Sequence, residues 1–177
     1  MAVQWKLHGE RRLYSSPWVN LCLVDVELPN GERFDHHVVR VPRPAVGVVV
    51  TREDEVLLLW RHRFITNTWG WEIPAGMVDE GEDIETAGRR EVLEETGWSV
   101  GELSTIGVYQ PSNGLSDQQF HLLKADEATF VETAKDNFEA ERVEWVPWPK
   151  VHEAIAEGKV PDGLSLTALL WTSYSPT

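Results

Sequence analysis

Three glutamates spaced for one face of a helix are the residues of this sequence best suited to chemistry. Glu94 and Glu95 follow Glu91 by three and four positions, and residues at these spacings are neighbours on a helix surface. Like charges placed so closely repel one another, and no lysine follows Arg90 within this helix to relieve the repulsion. Two interpretations are open, a solvated acidic face or a bound cation. The third glutamate, together with Glu82 just before the predicted helix, favours the cation.

A hard divalent cation such as Mg²⁺ suits this pattern, because it takes carboxylate oxygens and keeps several of its waters. An EF-hand calcium loop is excluded, since the acidic run Asp79–Asp83 has its glycine too early and lacks alternating ligands. Gly76, just before the helix, permits a tight bend or a close approach of the backbone. The carbonyl of Ala75 is therefore a candidate for one more oxygen ligand.

Composition limits the classes of partner. The 29 acidic residues exceed the 16 basic ones, for a net charge of −13, which repels phosphate backbones and excludes a nucleic-acid-coating protein. The single cysteine, Cys22, excludes an intrachain disulfide framework. No apolar run approaches the roughly 20 residues needed to span a bilayer, and the N-terminal residues lack the pattern of a signal peptide. We expect a soluble, cytoplasmic protein without a nucleic-acid or membrane partner.

The elements that must position these glutamates are strands on either side of one long helix, with another helix at the end of the chain. Strands or extended stretches are predicted at residues 18–26, 37–41, 45–51, 55–63, 69–74, 104–109, 119–123 and 142–146. The main helix is predicted over residues 83–96, where Gly97 is a natural C-terminal cap, and shorter helices are predicted at 151–157 and 165–171. This order predicts a mixed α/β fold, a sandwich with helices on both faces of a sheet.

The first 43 residues form a separate β segment in this interpretation. Asn30-Gly31 is a strong hairpin signal. Pro42 and Pro44 follow the hairpin and indicate a boundary in the chain. We therefore predict an N-terminal β segment at 1–43 and a main domain at 44–177. We expect Leu21, Leu23 and Val38 to be exposed as an apolar alternation on this hairpin, and a hairpin this small is not stable alone. We therefore expect residues 1–43 to cross to a second copy in a homodimer.

Residues 76–98 resemble the Nudix box, G-x5-E-x7-R-E-U-x-E-E-x-G-U, in which U is bulky and aliphatic. The residues that match are Gly76, Glu82, Arg90, Glu91, Val92, Glu94, Glu95 and Gly97. Trp98 departs from the pattern by being aromatic, and we expect local repacking there without lost chemistry. The flanking stretches RPAVGVVV, LLLWRHRF, WGWEIPAGMVDEGED and QPSNGLSDQ resemble the ADP-ribose pyrophosphatase subgroup, which also acts on other nucleoside diphosphate sugars.

The resemblance implies a Nudix-type α/β/α sandwich in residues 44–177 and metal-dependent hydrolysis of a nucleoside diphosphate linked to another group. The implied substrate is ADP-ribose or a related nucleotide sugar, and the implied cofactor is Mg²⁺ or Mn²⁺. In the ADP-ribose pyrophosphatase subgroup the N-terminal β segment exchanges between the subunits of a dimer. The implied metal ligands are Glu91 and Glu95, with Glu94 and the Ala75 carbonyl contributing, while Arg90 and Glu82 hold the box together by ion pairing.

The sequence leaves more than one candidate for the general base. Many relatives carry a glutamate in the loop after Pro111, in a pattern like S-D-E, but this chain reads Ser116-Asp117-Gln118. A glutamine amide cannot accept a proton at neutral pH. The water is then deprotonated by Asp117, by Glu94 or with the help of the metals alone, and we favour Glu94. Arg90, Glu94 and Asp117 are the candidate catalytic residues.

Four residues are candidates for contact with the substrate. They are Arg61, Arg63, Glu72 and Ser112. The two arginines match basic positions of the subgroup, although a plain surface ion pair is the alternative for Arg63, and a turn contact is the alternative for Ser112. A second hypothesis is a Nudix-fold nucleotide sensor with little or no turnover. The intact box favours the enzyme, whereas the missing loop glutamate favours the sensor.

Overall fold

The computed structural model describes residues 4–131 and 140–174, and the chain divides into two compact units. The first unit contains residues 1–44 and 110–119, and the second contains residues 45–109 and 120–177. The predicted division placed residues 110–119 in the second part. The structure groups them with the N-terminal strands because their backbone hydrogen-bonds to one of those strands.

The first unit is an antiparallel sheet of three strands in the order β1 (Lys6–Ser15), β2 (Asn20–Glu27) and β3 (Arg33–Arg40). The predicted hairpin turn is present, with Gly31 at a φ of 86°. Strand β1 was not predicted, because all ten of its residues are exposed and impose no period-2 apolar pattern.

The central strand of this sheet buries alternate side chains, as a half-buried strand does. Its buried residues are Cys22, Val24 and Val26. Leu21 and Leu23, which alternate with these residues on β2, are partly buried, and so is Val38 of β3. The most exposed apolar side chains of this unit are instead Leu7 of β1 and Trp18 of the connection between β1 and β2, at 70% and 65%.

The elements of the second unit follow one another in chain order. They are β4 (Ala45–Arg52), β5 (Glu55–Arg63), β6 (Thr68–Glu72), β7 (Ala75–Met77), α1 (Ile84–Thr96), β8 (Trp98–Val100), β9 (Ser104–Tyr109), β10 (Phe120–Ala125), β11 (Ala128–Phe130), β12 (Arg142–Pro147), α2 (Trp148–Ala156) and α3 (Gly163–Tyr174). Among the described residues, no helix has both the length and the apolar character needed to cross a membrane.

The main sheet of the second unit has seven strands in the part of the chain that the structure describes. Its path runs β12-β5-β4-β10-β9, with β6 paired to β5 and β7 paired to β4. Strands β4 and β10 are parallel and the other pairs are antiparallel, so the sheet is mixed. A separate antiparallel pair joins β8 to β11.

Helices cover both faces of this sheet, which confirms the predicted α/β/α sandwich. Successive residues of β4 take opposite sides: Val48 packs in a core cluster with Val92 of α1, and Val49 in a cluster with Leu169 of α3. A central strand covered on both faces has a continuous apolar sequence, as AVGVVVT shows. Trp98 packs against the α1 cluster, which agrees with the repacking expected there.

Candidate active site

Helix α1, which carries the three glutamates, has a defined start and end. The carboxylate of Asp83 accepts the backbone N–H of Thr86 at 2.9 Å and caps the N-terminus. At the other end Gly97 adopts the left-handed conformation, with a φ of 76°, and donates its N–H to the Leu93 carbonyl at 2.9 Å. The C-terminal cap predicted at Gly97 is thus present, and the three glutamates lie in the last two turns of the helix.

Arg90 is the centre of the acidic site. Its guanidinium donates to both carboxylate oxygens of Glu82 at 3.0 and 2.9 Å and to the Met77 carbonyl at 3.0 Å. Its Nη1 donates to Glu91 at 2.7 Å and to Glu94 at 3.2 Å. These partners raise the pKa of Arg90, with the hydrogen bonds to Glu82 as the largest cause. The ion pair that the resemblance implied between Arg90 and Glu82 is thus present, and it ties the loop before the helix to the helix.

Glu91 lies directly against the backbone of Gly76. A Cβ atom added to Gly76 would lie 2.2 Å from the Glu91 Cδ and Oε1 atoms, which is shorter than an allowed van der Waals distance. Gly76 faces Val46 in the pairing of β7 with β4, so the sheet fixes its position. The close approach that a glycine permits is therefore used here to seat a carboxylate.

Glu95 is buried, with 6% of its side chain exposed. Its Oε1 atom accepts a hydrogen bond from Arg61 Nη1 at 2.7 Å, and its Oε2 atom accepts the backbone N–H of Ala75 at 2.9 Å. Burial raises the pKa of Glu95 to about 7, although Arg61 and the Ala75 N–H both act to lower it. The Ala75 backbone thus meets Glu95 on one side, while the neighbouring Gly76 meets Glu91 on the other.

The candidate substrate residues of β5 and β6 form a second layer of charge. Glu72 is buried, and Arg63 donates to it from Nε at 3.0 Å and from Nη2 at 2.6 Å. The Arg61 guanidinium lies 4.0 Å from the same carboxylate. Arg61 is therefore the buried ion-pair partner of Glu95, and the half-exposed Arg63 is the partner of Glu72. Contact of these three residues with a substrate stays a prediction.

The donor types and the charge of this site fit a hard divalent cation. Its charged residues are Glu72, Glu82, Glu91, Glu94, Glu95, Arg61, Arg63 and Arg90. Five carboxylates against three guanidinium groups leave a net charge of −2 when all are ionised. Among the described residues, no three acidic, histidine or cysteine side chains form a ready-made metal cluster. The assignment of Glu91, Glu94, Glu95 and Ala75 as ligands stays a prediction.

The two predicted loop residues lie in the first unit. The Ser112 carbonyl accepts the N–H of Leu115 at 2.9 Å and closes a turn. Asp117 accepts the N–H of Val41 at 2.9 Å with Oδ1, and a hydrogen bond from Arg40 Nη1 at 3.3 Å with Oδ2. Each residue thus has a structural contact within its own unit. A substrate role for Ser112 and a catalytic role for Asp117 stay predictions.

Two groups that bind predicted site residues were not predicted from the sequence. The Met77 carbonyl binds Arg90, and because every residue has a carbonyl, its type gives no signal. Arg40, which binds Asp117, gave no signal either, since the two residues are 77 positions apart in the chain.

Comparison with known proteins connects this geometry to a family. The NUDIX domain matches residues 41–167, and the nucleoside diphosphate sugar hydrolase N-terminal domain matches residues 5–39. The CMP-5'-(N-acetyl-N-hydroxy-3-aminopropyl)phosphonate hydrolase of Streptomyces rubellomurinus is 36% identical over 157 residues, which are 89% of this chain and 76% of the relative. The ADP-ribose pyrophosphatase of Bacillus subtilis is 30% identical over 143 residues, 81% of this chain and 77% of that protein.

A solved structure supports the fold independently. The crystal structure of an ADP compounds hydrolase superposes with a TM-score of 0.86 at 18% identity, covering 98% of this chain and 95% of the other. The NUDIX match contains all the charged residues of this site, from Arg61 to Glu95. This chain therefore belongs to the Nudix hydrolase family.

Proposed function

We propose that this protein hydrolyses the diphosphate of a nucleoside diphosphate linked to another group, with ADP-ribose or a related nucleotide sugar as substrate. The products are a nucleoside monophosphate and a sugar phosphate. The observation that carries the proposal is the Arg90 network, in which one guanidinium binds three box glutamates, Glu82, Glu91 and Glu94. The match of residues 5–39 to a nucleoside diphosphate sugar hydrolase domain supports the substrate class.

The residues of the site hold the carboxylates in place before any ligand binds. Arg90 fixes Glu91 from one side, and the Gly76 backbone limits its movement on the other. Arg61 and the Ala75 N–H fix both oxygens of Glu95. Groups that are fixed in this way need no reorganisation during the reaction, which is a principal source of catalytic power.

The proposal includes Mg²⁺ or Mn²⁺, held by Glu91 and Glu95 with Glu94 and the Ala75 carbonyl. When bound, such a cation neutralises the diphosphate, orients it and lowers the pKa of a bound water. The excess of carboxylates over guanidinium groups and the hard oxygen donors of the site support this choice.

Glu94 is the carboxylate that we propose as the general base. It is 40% exposed, whereas Glu91 is 13% exposed and Glu95 is 6% exposed. Its contact with Arg90, at 3.2 Å, is longer than that of Glu91, at 2.7 Å. A base must reach the water that it deprotonates, and Glu94 is the member of this helix face most open to solvent.

A homodimer belongs to the proposal as well, with residues 1–43 exchanged between subunits. The exposed apolar side chains of this segment, among them Leu7 and Trp18, support it, because association removes apolar area from water. A cytoplasmic location stays a prediction.

A substrate panel tests the proposed function. Purified protein is incubated with ADP-ribose, other nucleoside diphosphate sugars and a CMP-linked phosphonate, each with Mg²⁺, with Mn²⁺ or with EDTA, and the products are separated by chromatography. We expect ADP-ribose to give AMP and ribose phosphate in equal amounts, and EDTA to stop the reaction. Calorimetric binding of a nucleotide without any product would instead establish the sensor hypothesis.

A further inference from the structure

Residues 110–119 extend the N-terminal sheet, although they are distant in sequence. Within the first unit, Val39 of β3 donates its N–H to the Leu115 carbonyl at 2.8 Å, and its own carbonyl accepts the N–H of Asp117 at 3.3 Å. These bonds form a parallel bridge between Val39 and Ser116. The histidine ring of His36 adds a hydrogen bond to the Gly114 carbonyl at 3.1 Å. One face of the loop is thus bound to β3 along several residues.

The side chain of Asp117 adds two hydrogen bonds at the C-terminal end of β3. Its Oδ1 atom accepts the backbone N–H of Val41, and its Oδ2 atom accepts a hydrogen bond from Arg40. Arg40 also binds Glu10 of β1, from Nη2 at 2.6 Å and from Nε at 3.2 Å. Arg40 therefore links two strands of the sheet to the loop. The hydrogen bond to Glu10 is the largest cause that raises the pKa of Arg40 above its usual value.

We propose that Arg40 and Asp117 are a positioning pair that fixes the loop 110–119 on strand β3, and that Asp117 acts by this anchoring rather than by accepting a proton. Each oxygen of the carboxylate already has its own donor, one from the backbone and one from a guanidinium. The inference rests on the proposed function, in that the loop is expected to contact the substrate.

The pair also defines a cavity in the first unit. A space of about 390 Å³ lies between β3 and the loop, and the residues that line it include Arg40 and the amide residues Gln110, Asn113 and Gln119. Side-chain amides offer both a donor and an acceptor, which suits the edge of a base or a sugar. If the anchoring is lost, these amides lose their fixed spacing. We therefore expect weaker substrate binding, seen as a raised KM.

Substitution of the pair should leave the fold intact. Arg40 and Asp117 are 36% and 43% exposed, and exposed ion pairs contribute little to global stability. A matched control exists on the same sheet, where Arg11 pairs with Asp35 at 3.8 Å with both side chains largely exposed. The variant Arg11→Ala removes a comparable ion pair that does not involve the loop.

The test compares Asp117→Asn, Asp117→Ala and Arg40→Ala with the Arg11→Ala control in the full chain. Two readouts are taken: kcat and KM on ADP-ribose with Mg²⁺, and NMR hydrogen exchange of the amides of Val41 and residue 117. Asparagine keeps an oxygen for the Val41 N–H, whereas alanine does not.

Anchoring predicts that Asp117→Ala raises KM and the Val41 exchange rate each by about 10-fold, the size of one lost hydrogen bond. Arg40→Ala should follow in the same direction, Asp117→Asn should lose clearly less than Asp117→Ala, and the Arg11→Ala control should change neither quantity.

Equal losses of kcat in Asp117→Asn and Asp117→Ala, with normal exchange in Asp117→Asn, would overturn the inference and make Asp117 a general base. If the unmodified protein turns over no nucleotide, the proposed function fails on its own. In that case the exchange rates still decide the anchoring: faster exchange in Asp117→Ala supports it, and unchanged exchange contradicts it.

Discussion

Replacing Gly76 by alanine should displace the carboxylate of Glu91. The added Cβ would lie 2.2 Å from the Glu91 Cδ atom, whereas carbon atoms in contact are separated by about 3.5–4.0 Å. One of the two must therefore move by more than about 1 Å. Gly76 is held in the pairing of β7 with β4, so the side chain of Glu91 moves, and its 2.7 Å hydrogen bond to Arg90 is strained or lost.

The displacement predicts a loss of activity with little loss of folding. A misplacement of about 1 Å in a catalytic constellation costs on the order of 100-fold in rate. Because Gly76 does not have a positive φ, the backbone accepts alanine, and we expect the thermal unfolding midpoint to change by only a few degrees. The assay is kcat/KM for ADP-ribose with Mg²⁺, measured beside the unfolding midpoint of the same preparation.

Gly101 provides the matched control for this substitution. It lies in the same unit, and a Cβ added there meets no atom within 4 Å. The variant Gly101→Ala should retain the activity of the unmodified protein. A Gly76→Ala variant with normal kcat/KM would show that the position of Glu91 against the Gly76 backbone does not matter for the reaction.

Three further predictions follow from the charges and surfaces of the site. Arg61→Ala leaves Glu95 buried without its guanidinium partner and should lower the free energy of unfolding by about 3–5 kcal/mol, as measured by urea denaturation; a change below about 1 kcal/mol would contradict the buried pair. Glu94→Gln should reduce kcat by about 100-fold or more, while Gln118→Glu should raise it modestly if proton removal limits turnover; full activity in Glu94→Gln would remove the proposed base. Light scattering at micromolar concentration should give twice the chain mass of 20.1 kDa, and a monomer mass would refute the exchanged dimer.

The local parts of this site follow from the sequence because their causes are local. The spacing of Glu91, Glu94 and Glu95 places them on one helix face, and Asp83 and Gly97 cap that helix as their residue types predict. The burial of Arg61 had no such local signal, because β5 is buried on both sides from Val56 to Leu59, and Arg63, which shares a side of the strand with Arg61, is half exposed.

The long-range parts do not follow from the sequence, because their causes are distant in the chain. Strand β1 forms by pairing with β2, although its own ten residues are exposed and lack alternation. The loop 110–119 joins the N-terminal sheet through hydrogen bonds that link residues 76 and 77 positions apart, as Val41 and Arg40 do with Asp117. Periodicity within a segment gives no information about such a partner.

The central claim is that Glu91 and Glu95 form the cation-dependent catalytic centre. The most direct test measures turnover of ADP-ribose by Glu91→Gln and Glu95→Gln across a Mg²⁺ titration, because glutamine keeps the size of the side chain and removes its charge. We expect each substitution to lower the rate at saturating Mg²⁺ by at least about 100-fold, in line with the several kcal/mol that metal-assisted charge stabilisation supplies. Near-normal rates in both variants at saturating Mg²⁺ would contradict the claim.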